Sequence, residues 1–241
     1  MARVVDEVAQ RAKRRTILEL ASELVRTKGY EKMTIQDILD GLGISRGALY
    51  HYFDSKEAIL GALVDQMGSD AADALLPIVR DPKSTALEKF RSYVETSARV
   101  KADRPELVIG MLRTWYSDDN VLLRHKVSDA ALTYTAPLIL EPIIQQGVEE
   151  HTFTTRFPQQ VARIIAGIAL SQVDTLVGLL FSDDSDEVVQ RRSREFMDAY
   201  TDSIERILGA QPGSLRDDRV DQLLTLSLRA RAKELARGGV R

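Results

Sequence analysis

The chain contains no cysteine among its 241 residues. Without a thiol, the protein cannot form a disulfide, a thiolate metal site or a cysteine nucleophile. Its three histidines, His51, His125 and His151, lie far apart in sequence and lack the i, i+4 spacing of a helical metal pair. We therefore expect neither a metal site nor a cofactor.

Long apolar runs are also absent. No stretch reaches the roughly 18 apolar residues of a membrane span, and the charged beginning, MARVVDEVAQRAKRR, lacks the apolar core of a signal peptide. We expect a cytoplasmic protein without a membrane partner. The chain also lacks paired metal ligands, a phosphate-binding glycine loop and a nucleophile motif. These absences argue against an enzyme.

The composition is that of an ordinary globular protein, with 44% hydrophobic and 29% charged residues. Apolar residues recur at helical spacing along the chain and no strand pattern is seen, which predicts an all-α fold. The net charge is −3, but residues 1–56 hold ten Lys/Arg and eight Asp/Glu, a net charge of +2. The remainder therefore carries −5. A basic head on an acidic body is compatible with a nucleic-acid partner.

The stretch from Thr34 to Lys56, TIQDILDGLGISRGALYHYFDSK, predicts two short helices joined by a tight turn. Thr34 and Asp37 have the spacing of a capping box. Gly43 can turn the chain without steric cost, and Ser45 can cap the second helix. The predicted buried faces comprise Ile35, Ile38, Leu39, Leu42, Ile44, Leu49 and Phe53.

The second of these helices leaves a surface with hydrogen-bond donors, aromatic rings, two small residues and no acid. That combination suits a DNA groove lined with acceptor edges and phosphates. The exposed residues predicted for this surface are Arg46, Gly47, Ala48, Tyr50, His51 and Tyr52.

The run GISRGALYHYFDSKEAIL, preceded by TIQDIL, resembles the helix-turn-helix of the tetracycline-repressor-like (TetR) transcriptional regulators. The close resemblance covers about the first quarter of the chain, and beyond it the likeness is architectural. It implies a three-helix DNA-binding domain over residues 1–56 and a larger helical ligand-binding and dimerisation domain over residues 57–210. Residues 211–241 form a predicted amphipathic tail, longer than the family leads one to expect, which could fold back, cross to a partner subunit or contact DNA.

The resemblance also implies DNA-contacting roles for individual residues. Arg46 is the candidate for bidentate contact to guanine, and Ala48 could touch a thymine methyl. Phosphate contacts are implied for the tyrosines, His51 and Lys56. The implied DNA-binding residues are Thr34, Gln36, Ser45, Arg46, Gly47, Ala48, Tyr50, His51, Tyr52 and Lys56.

Periodicity predicts further helices over about 13–28, 56–76, 85–102, 103–116, 121–150, 158–181 and 187–208. Pro137 and Pro142 should kink the long helix. Residues 1–10 are predicted to be a loose arm. Its neighbouring basic cluster, residues 11–15, is either the solvated start of a helix or a contact to phosphate or the minor groove. Gln211-Pro212-Gly213 is predicted to be a linker.

A single DNA-binding domain contacts too few base pairs for useful specificity. We therefore expect a homodimer that binds a pseudo-palindromic operator and is formed through the last two helices of the larger domain. The resemblance implies an effector site among the middle helices. Its candidate residues are Phe90, Tyr93, Met111, Trp115, Tyr116, Tyr134, Leu138 and Asp174.

The sequence favours a ligand-responsive repressor released from DNA by a small, largely apolar or aromatic effector. An activator or a ligand-independent regulator of the same fold remains an alternative. A helical enzyme and a protein-binding scaffold are the hypotheses from other classes.

Overall fold

A computed structural model describes residues 2–28, 30, 32–102, 121–180 and 182–216. In these ranges the backbone forms helices joined by turns and contains no strand, which confirms the all-α prediction. The predicted helix at 103–116 and the tail after residue 216 lie outside the described residues. The elements are α1 (Ala2–Lys28), α2 (Ile35–Leu42), α3 (Arg46–Tyr50), α4 (Lys56–Arg80), α5 (Ala86–Ala102), α6 (Val121–Ala130), a π-helix (Ala131–Leu140), α7 (Glu141–Glu149), α8 (Pro158–Leu180) and α9 (Asp186–Leu208).

The chain divides into two compact units. Of the described residues, 2–67 and 121–127 form the first unit, and 68–102 and 128–216 form the second. Among the described residues, the division falls within two helices: α4 is divided after Met67 and α6 after Val127. Within the described ranges, no helix is both long enough and apolar enough to traverse a lipid bilayer.

The first unit is built on the apolar faces of α1 to α4. Ile17, Ile38, Leu49 and Ile59, one from each helix, are completely or almost completely buried. Gly41 of α2 lies against α1, where an added Cβ would be 2.6 Å from Cδ2 of Leu20. The absence of a side chain at this position therefore allows α1 and α2 to approach each other closely.

The prediction that residues 1–10 form a loose arm was wrong, because α1 begins at Ala2. The segment ARVVDEVAQ contains neither glycine nor proline, so nothing in it interrupts the helix. The basic cluster consequently lies inside α1 and not at its N-terminus. Because these residues do not stand at the helix N-terminus, the helix dipole does not disfavour their positive charge, and no external anion is required to offset it. Arg15 forms an exposed i, i+4 ion pair with Glu19 at 2.9 Å.

The second unit surrounds a core to which α5, the π-helix, α7, α8 and α9 all contribute. Phe90, Ile139, Ile143, Ile165 and Leu208 represent these five elements in the core. The helix α8 packs along the π-helix, α7 and α9. The helix α8 is therefore buried on more than one side.

The two prolines of the long helical run are accommodated without loss of helical structure. Pro137 lies inside the π-helix, after which the N–H of Glu141 donates to the carbonyl of Ala136 five residues back. Pro142 is the second residue of α7, at the point where the hydrogen-bond pattern changes from that of a π-helix to that of an α-helix. The helix α4 was predicted to end near Leu76. It instead continues through Pro77 to Arg80.

The predicted linker after α9 is instead packed on the second unit. Gly209 ends α9 in the left-handed conformation, with φ 65°. The Glu205 side chain, 4% exposed, then accepts hydrogen bonds from the N–H groups of Gly213 (2.7 Å) and Leu215 (2.8 Å). Leu215 is itself buried, and Arg91 donates to the carbonyl of Ser214. These contacts hold residues 211–216 on the surface of α9, so the linker prediction was wrong.

We predict that Gly209→Ala destabilises the second unit more than Gly213→Ala does. Both glycines have positive φ, but a Cβ at Gly209 would overlap Oγ1 of Thr154, whereas a Cβ at Gly213 meets nothing within 4 Å. Gly213→Ala should cost about 1–2 kcal/mol through backbone strain alone. Gly209→Ala should add roughly 1–3 kcal/mol of overpacking. Urea unfolding followed by far-ultraviolet circular dichroism measures both, and equal losses would contradict the predicted overlap.

Candidate nucleic-acid interface

The start of α2 is fixed by a reciprocal cap. The hydroxyl of Thr34 accepts from the N–H of Asp37 at 3.1 Å, and Oδ2 of Asp37 accepts from the N–H of Thr34 at 2.9 Å. Lys28, at the end of α1, donates to Oδ1 of Asp37 at 2.6 Å. The cap therefore joins α2 to α1, and it confirms the predicted capping box.

These same contacts lower the pKa of Asp37 from 3.8 to about 2, with the hydrogen bond from Lys28 as the largest cause. Since the folded pKa is below the ordinary value, the ionised carboxylate stabilises the folded state above about pH 3.8. That contribution is lost as the pH falls towards 2.

The turn between α2 and α3 also follows the predicted residues. Gly43 adopts the left-handed conformation (φ 61°, ψ 37°), and its N–H donates to the carbonyl of Leu39. Ser45 caps α3 by accepting from the N–H of Ala48 at 3.2 Å. The turn and the cap together set the direction in which α3 leaves α2.

One face of α3 is buried and the opposite face is open. Leu49 is 1% exposed and Phe53, just after the helix, is also buried. Arg46, Gly47, Ala48 and His51 are exposed. A Cβ added to Gly47 would meet nothing within 4 Å, so the missing side chain serves no contact inside the protein.

The aromatic residues at the end of α3 differ in their surroundings. Tyr50 is 42% exposed. Tyr52 is half-buried, and its ring stands nearly perpendicular to that of His51 with centroids 5.1 Å apart. Tyr50 is consequently the freer of the two tyrosines to meet a phosphate.

Two cations flank α3 and rest on aromatic rings. The ammonium of Lys56 lies 4.3 Å from the ring centroid of Tyr30, and the guanidinium of Arg14 lies 5.0 Å from that of Phe53. These contacts orient the side chains at a modest energetic gain. Sequence reasoning grouped Arg14 with its basic neighbours. Only the packing of α1 beside Phe53 distinguishes it from them.

All ten predicted DNA-contacting residues lie in the first unit, between positions 34 and 56. Several of the side chains already have a partner within the protein, as Thr34 does in the cap of α2. Ser45 serves the cap of α3, and Nε2 of Gln36 donates to Oδ1 of Asp40 at 2.8 Å. Gln36 would have to leave Asp40 before it could donate to a phosphate.

The structure brings part of the predicted effector site together in the second unit. The rings of Phe90 and Tyr93 are 6.0 Å apart in an edge-to-face arrangement, and burial raises the pKa of Tyr93 to about 12. Tyr134 is half-buried, and Leu138 is exposed. Outside the described residues and side chains lie Met111, Trp115, Tyr116 and the side chain of Asp174.

Sequence reasoning missed a further aromatic residue near this site. Tyr200 of α9 packs against the core that contains Phe90 and Tyr93. Burial also raises the pKa of its phenol. Its position in the helical stripe of α9 indicated burial but not the nearness of α5.

Among the described residues, no group of His, Asp or Glu side chains could hold a metal ion.

Comparison with known proteins agrees with this geometry. Residues 17–63 match the family model described as bacterial regulatory proteins, tetR family. The HTH-type transcriptional repressor KstR2 of Rhodococcus jostii is 27% identical over 168 residues, which cover 65% of this chain and 76% of that protein. KstR2 of Mycobacterium tuberculosis is 42% identical over 64 residues, 27% of this chain and 31% of that protein.

Solved structures show the same fold. RolR in complex with resorcinol aligns with a TM-score of 0.61 and 16% identity, covering 92% of this chain and 96% of that one. FadR of Bacillus subtilis in complex with stearoyl-CoA aligns with a TM-score of 0.55 and 19% identity, covering 80% and 96%. The curated relatives are named as transcriptional regulators, not as enzymes.

We predict that Lys28→Met raises the pKa of Asp37 towards its ordinary value. The variant removes the largest cause of the lowered pKa and leaves the Thr34 contacts in place. Titration of the Asp37 side-chain carbon by nuclear magnetic resonance measures this change. Lys32→Met, which removes another exposed lysine of the same unit, is the control and should leave the Asp37 pKa unchanged. An unchanged pKa in Lys28→Met would show that the Thr34 contacts alone lower it.

Proposed function

We propose that this chain, whose residues 17–63 match the family model of tetR-type bacterial regulatory proteins, is a TetR-like regulator that represses transcription by placing α3 in the major groove of an operator. The observation that supports this most is the outward face of α3. It presents Arg46, Gly47 and Ala48 to solvent while Leu49 is buried beneath them.

Each residue of this face has a chemical counterpart in the major groove. The Arg46 guanidinium can donate two parallel hydrogen bonds to O6 and N7 of guanine. Gly47 removes bulk where the helix backbone approaches the DNA, and Ala48 offers a methyl group to thymine. Tyr50 at the end of α3 and Lys56 at the start of α4 can bind phosphates, which fix the position of the helix without reading sequence.

We propose that the regulator is a homodimer formed through α8 and α9. Phe157, which immediately precedes α8, and Ile164 in its second turn are 61% and 51% exposed. Gly167 follows Ile164 by one turn and a Cβ there would meet nothing within 4 Å. A large apolar side chain beside a glycine is a surface on which a second helix can pack closely. The exposed face of α9 is largely charged, so α8 supplies most of the apolar contact.

We further propose that a small, largely apolar or aromatic effector binds in the second unit and releases the operator. Phe90, Tyr93 and Tyr134 are the described residues among the candidates for this site. RolR and FadR, which share the fold, have been solved with resorcinol and with stearoyl-CoA respectively. An effector that binds better to a conformation unsuited to DNA would shift the population away from the operator.

We predict that Arg46→Ala weakens binding to the operator by about 1–3 kcal/mol and relaxes the base preference at one position of each half-site. Fluorescence anisotropy with the duplex upstream of the gene measures this. Arg80→Ala is the matched control, since it removes an exposed arginine from the last turn of α4, outside α3 and outside the two helices proposed for the dimer. Equally weak binding of every duplex by the wild type and by Arg46→Ala would exclude a sequence-specific regulator.

Gly47→Ala complements this test because the free protein has room for the added methyl group. The substitution also removes the flexibility of a helical glycine, which should raise stability by about 0.5–1 kcal/mol. We therefore expect unchanged or higher thermal stability together with weaker operator binding. Normal operator binding by Gly47→Ala would mean that the backbone of α3 does not approach the DNA closely at this residue.

We predict that Ile164→Arg converts the dimer to a monomer. The side chain is half-exposed within one subunit, so the substitution should leave folding intact while it places a charge in the apolar contact between subunits. Sedimentation velocity at micromolar concentration measures the association state. Met67→Arg, at a comparably exposed apolar residue of α4, should remain dimeric. A dimer that survives Ile164→Arg would place the interface elsewhere.

A further inference from the structure

The second unit contains a close contact between its two shared helices, immediately after the point where each enters it. Gly68 is the first residue of α4 that belongs to this unit. Ala130 is the last residue of α6 and the third of its residues that belong to this unit. A Cβ added to Gly68 would lie 2.9 Å from Cδ2 of Tyr134 and 3.2 Å from Cβ of Ala130. The Tyr134 ring therefore occupies a notch that exists because residue 68 has no side chain.

Both partners in this contact belong to segments that deform easily. Gly68 is followed by Ser69, and a Gly/Ser pair is a common site for a bend in a helix. Tyr134 is the fourth residue of the π-helix, a rare hydrogen-bonding pattern that is frequent at functional sites. A π-helix can convert to an α-helix by exchanging one set of carbonyl acceptors for another, and that conversion rotates the side chains before it relative to those after it.

The far end of the π-helix is anchored in the core next to the candidate effector residues. Ile139 and Leu140 are fully buried in the cluster that contains Phe90 and Tyr93. A close-packed core responds to an inserted molecule by changing between discrete arrangements. Any rotation that begins at Leu140 must reach Tyr134 through one and a half turns of helix.

We propose that the Tyr134 ring in the Gly68 notch is the contact through which the π-helix sets the course of α4 and thereby the DNA-binding state. The inference rests on the proposed function and adds the residues that regulate it. Tyr134 acts as a positioning residue: when the π-helix rearranges, the rigid ring presses on α4 or withdraws from it. The course of α4 on the N-terminal side of Gly68 changes accordingly. This part of α4 directly follows the helix-turn-helix in the chain.

The chain offers a matched pair of substitutions on α4. Gly68→Ala places a methyl group against the rigid Tyr134 ring. Gly61→Ala, two turns earlier, places one 2.6 Å from Nζ and 3.0 Å from Cε of Lys126, the end of a flexible side chain that can move away. Both variants gain the same helix propensity. They therefore differ in whether the added methyl group displaces the π-helix.

We expect Gly68→Ala to lower affinity for the upstream duplex about tenfold or more, within the usual range of allosteric coupling. Gly61→Ala should stay within about twofold of the wild type because its methyl group displaces only a flexible side chain. The double variant Gly68→Ala/Tyr134→Ala should regain most of the lost affinity, since removal of the ring makes room for the methyl group. Circular dichroism melting confirms that each variant is folded.

A second readout does not depend on DNA. Because the chain lacks cysteine, Lys32→Cys provides a single label site at an exposed position of the head. Double electron–electron resonance then measures the distance between the two spin labels of a dimer. Gly68→Ala should shift this distance distribution, whereas Gly61→Ala and the double variant should retain that of the wild type.

The outcomes separate the inference from the function on which it rests. Identical spin-label distances in Gly68→Ala and Gly61→Ala would overturn the role of Tyr134, as would a failure of Tyr134→Ala to restore the wild-type distance. The proposed function fails separately, if wild type and Arg46→Ala bind all duplexes alike.

Discussion

The proposed DNA-reading surface depends on the burial of two side chains, Leu49 and Phe53, beneath a helix of five residues. A helix this short has no stability of its own, because forming its first turn fixes several backbone dihedrals for a single hydrogen bond. Its direction is therefore set by these two anchors, by the Ser45 cap and by the left-handed Gly43. Because these constraints converge, the outward position of Arg46 is a property of the whole first unit.

Local chemistry explains why this surface could be predicted from the sequence. Helix caps and a left-handed glycine act on backbone groups within four residues, so the residues that specify them are close together in the sequence. The start of α1 and the docking of residues 211–216 depend on other information. Glu205 binds backbone N–H groups eight and ten residues later, and nothing in Gln211-Pro212-Gly213 distinguishes a docked segment from a free one. Tyr134 and Gly68 are further apart still, and their contact follows from tertiary packing alone.

The glycines show the same division between local and tertiary causes. Gly43 and Gly209 supply a backbone conformation, and their position after a helical pattern reveals it. Gly41 and Gly68 have helical dihedrals and are required by a neighbour, Leu20 in one case and Tyr134 in the other. Gly47 has neither role within the subunit. A glycine that the protein does not need for its own folding is best explained by something that approaches from outside, and α3 is where DNA would approach.

The division of α4 and α6 between the two units offers a path for a signal. Each helix belongs partly to one unit and partly to the other, so the proposed rearrangement in the second unit would be expressed as a bend or rotation within these helices. A regular α-helix resists both, since either change strains several hydrogen bonds together. Gly68-Ser69 in α4 and the π-helix that continues α6 are the places where this resistance is low. Because the Tyr134 ring lies against Gly68, the proposed contact would couple the two compliant segments. That coupling would convert a change of core packing into a defined change in the course of α4.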